Sequence, residues 1–458
     1  MLPFLARGRN GFLYGSAFAM PVVLISLAVI SICIYVLISI INMHNKLVVD
    51  KLQRRKLEYI ASGGLFKVLW LIRSSKINLP MKEEEYIIIP ETCRVIIRRR
   101  GVFWEIYSRA TLGNRSVEMK RLLGFPSFDL FPNALQVCGE IPVFVFSSNV
   151  YIDGNICLDA VDVHYYPLRI ERIKFYTGKL VCDTTVKLPA VNKSLLDSIY
   201  RLYDENIDYL SPEFVVLESK VFSPSELKKF KYIYLDGDVE IRSVYNDTLL
   251  EGPGKIVVNG MLTFANKVKV RNNWEITSSG DIFVKDSSEL TSCIVFSKAG
   301  IYFSGNSRGL GQFISEKQIT STDNSKLIFP TFFLVQSNDK KSFSEPEISI
   351  QSNSDYSGIL FVYKPEDRSF HKNQLSGYGR IYVNSAQSVK GGIFCEGIVE
   401  LYSNVVGFVS CKRIDKRVGY TLWKNYVQNV QICRYDLNPR IALPVCFGDF
   451  TKLALFRE

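Results

Sequence analysis

From Asn10 to Asn45 no Asp, Glu, Lys or Arg interrupts the chain, and Val22 to Ile41 is apolar except for Ser26, Ser31 and Ser39. Twenty residues at about 1.5 Å each reach roughly 30 Å, the thickness of a bilayer's hydrocarbon core. This pattern predicts a tail over 1–20 and a membrane-spanning helix over 21–42. A secretory signal is the competing reading, but its apolar stretch runs only about 7–15 residues and ends in a small-residue cleavage site. Here Asn42-Met43-His44-Asn45-Lys46 follows instead. Beyond the span, Ile41, Val48, Leu52 and Tyr59 fall on one helical stripe, with Asp50, Lys51, Arg54 and Arg55 off it. An amphipathic stalk is expected over 43–80, weakened at Ala61-Ser62-Gly63-Gly64 and ended by Ser74-Ser75 and Pro80.

The hydrophobic period then changes from helical to alternating. Over 81–137 short runs rich in Ile, Val, Phe and Tyr are bounded by turn candidates at Arg100-Gly101 and Gly113-Asn114-Arg115. They predict a small antiparallel sheet. Arg98, Arg99 and Arg100 sit at its first hairpin, where a charge cluster reads first as a solvated surface and second as an anion patch. The basic run Lys51 to Lys56 faces the same choice; against anionic head groups each charge contributes about 1 kcal/mol. Neither cluster carries a nucleic-acid motif.

Repetition dominates the remainder. Tyr151-Ile152-Asp153-Gly154-Asn155-Ile156 recurs as Tyr234-Leu235-Asp236-Gly237-Asp238-Val239, and Gly260, Gly280 and Gly300 punctuate β-rich runs at a spacing of twenty. Glycine-led strands continue at Gly358, Gly379, Gly392, Gly397 and Gly407. Short strands with Gly, Asn or Asp at corners predict a parallel β-solenoid over 138–412, in preference to a two-sheet sandwich. Ser194 to Asp208 reads as an inserted helix, Phe313 to Glu347 as a loop with one apolar strand, and 413–458 as a C-terminal cap. The expected fold is therefore mainly β: a transmembrane helix and helical stalk, a small antiparallel sheet, then a parallel β-helix.

Composition narrows the chemistry. The 458 residues are 47% hydrophobic and 13% aromatic, which excludes disorder, and the net charge is +11. Only His44, His164 and His371 are available for imidazole chemistry. Ten cysteines (Cys33, Cys93, Cys138, Cys157, Cys182, Cys293, Cys395, Cys411, Cys433, Cys446) form no C-x-x-C pair, so a zinc or redox motif is not read; buried free thiols are. Gly305-Asn306-Ser307-Arg308-Gly309 matches G-x-S-x-G, but Leu310-Gly311 follows where a nucleophile elbow needs a helix, so a glycine-rich corner is expected. Gly377-Tyr378-Gly379 lacks the rest of a dinucleotide fingerprint. Asp153 and Asp236, placed alike by the repeat, could hold calcium or serve as paired carboxylates; turn chemistry is the simpler account. Tyr151, Tyr165 and Tyr166 could stack on sugar rings. No catalytic, cofactor-binding or metal residue is assigned, and no cofactor.

The basic tail, apolar span, charged helix and Ala61-x-x-Gly64 resemble the N-terminal region of type IV pilin-like proteins. That resemblance implies processing between Gly11 and Phe12; Ser16 then stands where the family carries a filament-packing Glu. With the strands from Ala134 to Pro189 and the glycine-led coils, the whole looks like uncharacterised bacterial envelope proteins with a β-helical ectodomain, distantly similar to bactofilin-like solenoids. It implies an inner-membrane, single-pass protein with a periplasmic domain, although Lys46, Lys51, Arg54, Arg55 and Lys56 outnumber Arg7 and Arg9 and by themselves place that domain in the cytoplasm. The expected role is a non-catalytic structural or assembly protein whose partners are the bilayer, other envelope proteins or further copies of itself, without nucleic acid. An anchored polysaccharide lyase or glycosidase is the alternative.

Overall fold

The structure is a computed structural model that describes residues 13–80, 83–89, 92–126, 130–166, 177–183, 185–208, 212–244, 247–336, 346–363, 379–434, 442–444, 446–447 and 452–456. It is mainly β, with 55% strand and 20% helix. Two compact units divide it, one holding the chain to Val68 with 85–96 and 107–119, the other holding 69–84, 97–106 and 120–458.

In the first unit a single helix that starts at Leu13 and continues to Arg73 runs through both the expected span and the expected stalk. Among the described residues this is the one helix long and apolar enough to cross a membrane, and its most apolar window is wholly exposed. Ser31, polar within it, donates its hydroxyl to the Leu27 carbonyl at 2.8 Å, so this group is satisfied within the helix without water. Farther along, Leu57 and Ala61 are buried with Ala110, and Ile60, Val117 and Met119 pack around them. The expected weakening at 61–64 does not occur. A Cβ on Gly64 would lie 2.6 Å from Cys93 Sγ and 2.9 Å from Ser108 Oγ, so this glycine marks a point where the helix packs closely on side chains of the sheet. Gly63 beside it has open space.

Strands Glu84–Ile89, Cys93–Arg100, Phe103–Leu112 and Arg115–Pro126 form the small sheet in sequence order, and Ala442–Leu443 and Ala454–Phe456 join its last strand antiparallel. The sheet thus ends at Pro126 rather than at 137. Strand Leu135–Phe146 belongs to the large parallel sheet, because Val409 pairs with Leu135 and Leu135 with Ile156.

That large sheet winds as three stacks of parallel strands, as a β-helix does. Down the first stack the inward column runs Ile233, Ile256, Ile276, Val295, Phe313, Phe333, Leu360, Ile393, Val409, Leu135 and Ile156. All of these lie in one continuous core. The order along the stack is not the order of the chain. Strands Leu135–Phe146, Ile156–Tyr165 and Leu180–Cys182 stack beyond Val405–Val418, and Val430–Cys433 is itself a rung between Val405 and Ile152. The segment from Arg413 onward is therefore not a cap on the end of the solenoid, since coils continue past it.

Corners are built from repeated polar devices. Ser278, Ser297 and Ser315 donate their hydroxyls to the carbonyls of Gly260, Gly280 and Ala299 in the preceding coil. The coil after Gly280 is a residue shorter, which places Ala299, not Gly300, above it. At the next corner two consecutive residues adopt positive φ: Asn266-Lys267, Asp286-Ser287, Gly305-Asn306 and Asp323-Asn324. Polar side chains and glycine tolerate that region best. Gly358, Gly391 and Gly407 stack in register with φ between 135° and 154°, and a Cβ on Gly391 would collide with the Gly358 carbonyl oxygen.

The outer side of the first stack is also apolar. Val257, Phe296, Ile314, Leu334, Phe361 and Phe394 are buried there. Helix Lys193–Asp208, close to the expected insertion, covers part of it: Tyr203 stacks on Phe296 with centroids 5.4 Å apart, and the Tyr200 hydroxyl donates to the Ser315 carbonyl at 2.9 Å. Phe103, Phe131 and Phe447 cover the rest, against Phe332 and Phe394. Most of the interval Phe313 to Glu347 is coil rather than loop, with Gln318–Ser321 and Lys326–Gln336 as rungs; an eighteen-residue coil without a leading glycine hid it, and 337–345 lie outside the described residues.

The two neighbouring glycines give opposite expectations. Gly63→Ala should raise the thermal midpoint in detergent, by the 0.5–1 kcal/mol or so of helix propensity that alanine gains. Gly64→Ala should lower it, by about 1–3 kcal/mol of overpacking against Cys93 and Ser108.

Candidate functional site

Ser307, the central residue of the G-x-S-x-G string, is fully buried. It follows the left-handed pair Gly305-Asn306 and sits as Ser288 and Ser325 do in the neighbouring coils; Arg308 and Lys326 pair in register with Glu289 and Arg308 respectively. The string is a corner, as expected, and no nucleophile is presented. Asp153 and Asp236 are not equivalent, which corrects the expectation drawn from the repeat. Asp153 ends a third-stack strand paired with Val430–Cys433, whereas Asp236 ends a first-stack strand paired with Gly254–Asn259. A strand-corner-strand unit has been used at two different corners. Each carboxylate accepts a local hydrogen bond, from Thr177 in one case and from the Asn259 amide at 3.0 Å in the other. Among the described residues no group of three His, Cys, Asp or Glu is arranged to hold a metal.

Tyr151 lies opposite Gln431, while Tyr165 stacks on Phe146 at 5.8 Å, so these tyrosines form no common ladder. A stacked aromatic pair that the sequence pattern did not single out is Phe283 with Tyr302, centroids 4.8 Å apart on the paired strands Ile282–Val284 and Gly300–Phe303. His164 Nε2 meets Asp162 Oδ2 at 2.9 Å in an exposed pair, and that hydrogen bond holds the Asp162 carboxyl below its usual range. His371 and Gly377-Tyr378 lie outside the described residues.

The Arg98–Arg100 cluster is not a solvated surface. Glu105, fully buried, accepts from Arg98 at 2.8 Å, from Lys120 at 2.6 Å and from Arg100. Arg99 reaches the Ser198 hydroxyl at 3.0 Å and lies over the Trp104 ring at 5.1 Å. The Gln312 side chain reads the turn itself, accepting from Val102 N–H at 2.7 Å and donating to the Arg100 carbonyl at 3.1 Å. Packing, not ligand binding, accounts for these charges: the cations fasten the hairpin tip to the coil and to helix Lys193–Asp208. Run composition alone could not show this, because the neutralising Glu105 lies on the next strand.

A cleft of about 380 Å³ is lined by Cys138, Val186, Lys187, Leu188, Tyr363, Glu396 and Lys412. It holds one carboxylate, Glu396, where glycoside hydrolysis uses two. Glu400 and Asp415, in register on adjacent coils, are each engaged by an arginine, Arg380 and Arg413. All ten cysteines are free. Burial pushes the thiols of Cys138 and Cys293 up to about 12, and Cys395, Cys411 and Cys446 also upward, which leaves almost no thiolate to react.

One element stands out from the coils. Asp415 to Lys424 fold back antiparallel, with Asp415 opposite Lys424 and Val418 opposite Thr421 around Gly419 at φ 61°. Every residue from Arg417 to Lys424 is exposed, among them Val418, Tyr420, Leu422 and Trp423. No family model, curated protein or solved structure matches the chain.

Two outcomes follow. Glu105→Gln leaves three cations without their shared carboxylate and should cost on the order of 3 kcal/mol in chemical denaturation. Native alkylation at pH 8 should modify exposed Cys182 first and spare Cys293, Cys395, Cys411 and Cys446 until denaturant is added.

Proposed function

We propose that this protein is a membrane-anchored, non-catalytic structural or assembly component of a bacterial cell envelope, pilin-like at its N-terminus, whose β-helical domain serves as a rigid interaction scaffold. The observation that carries the reading is the division of labour along one helix. Its side chains from Met20 to Leu52 are almost all exposed and mostly apolar, while Leu57, Ala61, Leu65 and Val68 are buried. A soluble helix does not leave so long an apolar surface in water. The buried half has its own sheet, so the apolar half is left for lipid.

Parallel ladders closed at every corner favour a stiff body, which suits presentation of a surface more than catalysis by moving loops. In this reading that body lies outside the cytoplasm, as the resemblance of the N-terminus to pilin-like proteins implies. Free thiols are compatible with such a compartment when burial keeps them protonated, as it does for Cys293, Cys395, Cys411 and Cys446. Partners in this reading are the bilayer, other envelope proteins or further copies of the chain.

Removal of Met1 to Asn45 should shift the protein from the membrane pellet to the soluble fraction with its β-type circular dichroism retained. Persistence in a carbonate-washed pellet would end the single-anchor reading. A C-terminal tag should be open to protease without permeabilising the inner membrane; protection would reverse the orientation.

A further inference from the structure

The hairpin Asp415 to Lys424 is the exposed feature whose chemistry is most lopsided. Its tip is fully exposed Tyr420, flanked by Val418, Leu422 and half-exposed Trp423. Trp423 lies 5.5 Å from Tyr426, so the aromatic surface extends to the hairpin's root. From Lys416 to Arg434 the chain contains no Asp or Glu. Asp415, at the base, is buried and held by Arg413 at 2.6 Å. The exposed charges of the hairpin are therefore Arg417 and Lys424, both positive.

The root is fixed. Lys416, largely buried, donates its ammonium to the Gln428 carbonyl and lies 5.2 Å above the Tyr402 ring. The Tyr402 hydroxyl donates to the Arg417 carbonyl at 3.4 Å and accepts from Arg417 N–H at 2.8 Å. A tip of aliphatic, Tyr and Trp side chains held on a stiff stem does not rearrange to hide its apolar area.

We propose that this hairpin docks its tip into the interfacial zone of an anionic lipid bilayer. Tyr and Trp prefer that zone because one end of each ring system is apolar and the other hydrogen-bonds water or head groups. Arg417 and Lys424 complement anionic head groups, and no carboxylate on the exposed hairpin opposes them. Val418 and Leu422 favour acyl chains over the bases of a single-stranded nucleic acid, which stack on aromatic rings instead. Docking is shallow, because any hairpin backbone group outside the pairing of Asp415–Val418 with Thr421–Lys424 must stay hydrated. The inference rests on the anchored reading above, which supplies a bilayer to this chain.

The full chain is reconstituted into vesicles of phosphatidylcholine with or without about one third phosphatidylglycerol, each with brominated acyl chains to quench tryptophan. Flotation with the vesicles tests the anchor separately from the hairpin. Wild type should show a quenched component in anionic vesicles that Trp423→Phe removes. Arg417→Gln with Lys424→Gln should lower the docked-to-undocked ratio by about thirtyfold, as should high salt or pure phosphatidylcholine. Both variants alter exposed side chains, so their thermal midpoints should match wild type. Floating protein whose quenching is equal in wild type and Trp423→Phe, or equal in neutral and anionic vesicles, would overturn the proposal. So would protection of Trp423 by single-stranded DNA or by a second copy of the chain in place of lipid.

Discussion

The parallel backbone ladder constrains everything else in this molecule. Each rung's N–H and C=O groups are satisfied only by the coils before and after it, so all coils must turn at matching corners. That requirement explains the left-handed pairs at Asp286-Ser287, Gly305-Asn306 and Asp323-Asn324, and the serines that close the adjacent corner. It also explains why Ser307 is held buried in its corner. A residue whose place is set by the stack cannot be strained outward to meet a substrate.

A β-helix of this width has an interior too narrow to bury all of its apolar residues, and here a second layer takes up the excess. Phe296, Phe361 and Phe394 face outward from the first stack and are buried only because helix Lys193–Asp208, Phe131 and Phe447 lie over them. The charges around Glu105 serve the same layer. Three cations on one buried carboxylate are costly to desolvate, and their geometry fixes the hairpin turn that Gln312 recognises.

Much of this architecture was legible in the sequence. The apolar span, the switch from helical to alternating period, the inserted helix near Ser194 to Asp208 and the parallel coils all follow from periodicity and turn residues. What escaped was non-local. Gly64 reads as a helix breaker until Cys93 is seen against it, and the arginines of the first hairpin read as solvated until Glu105 is seen beneath them. The Asp153 and Asp236 repeat was real as local geometry and misleading as position, because a strand-corner-strand unit fits any corner. The site hypotheses in carboxylates and tyrosines drew on residue type without the stack's register, and register decides which side chains meet.

The coil order has a consequence for how the domain comes into being. Strand Leu135–Phe146 is synthesised early yet takes its place beside Val405–Val418, so it must wait for more than half of the chain to emerge. Until then one edge is matched by Ile156–Tyr165 while the edge that Val405–Val418 will cover stays open, a hazard for a nascent polypeptide. Once seated, the same strand acts as a clasp on completeness: a chain truncated before residue 405 leaves it with no seat, and incomplete copies expose a feature that quality-control proteases can detect.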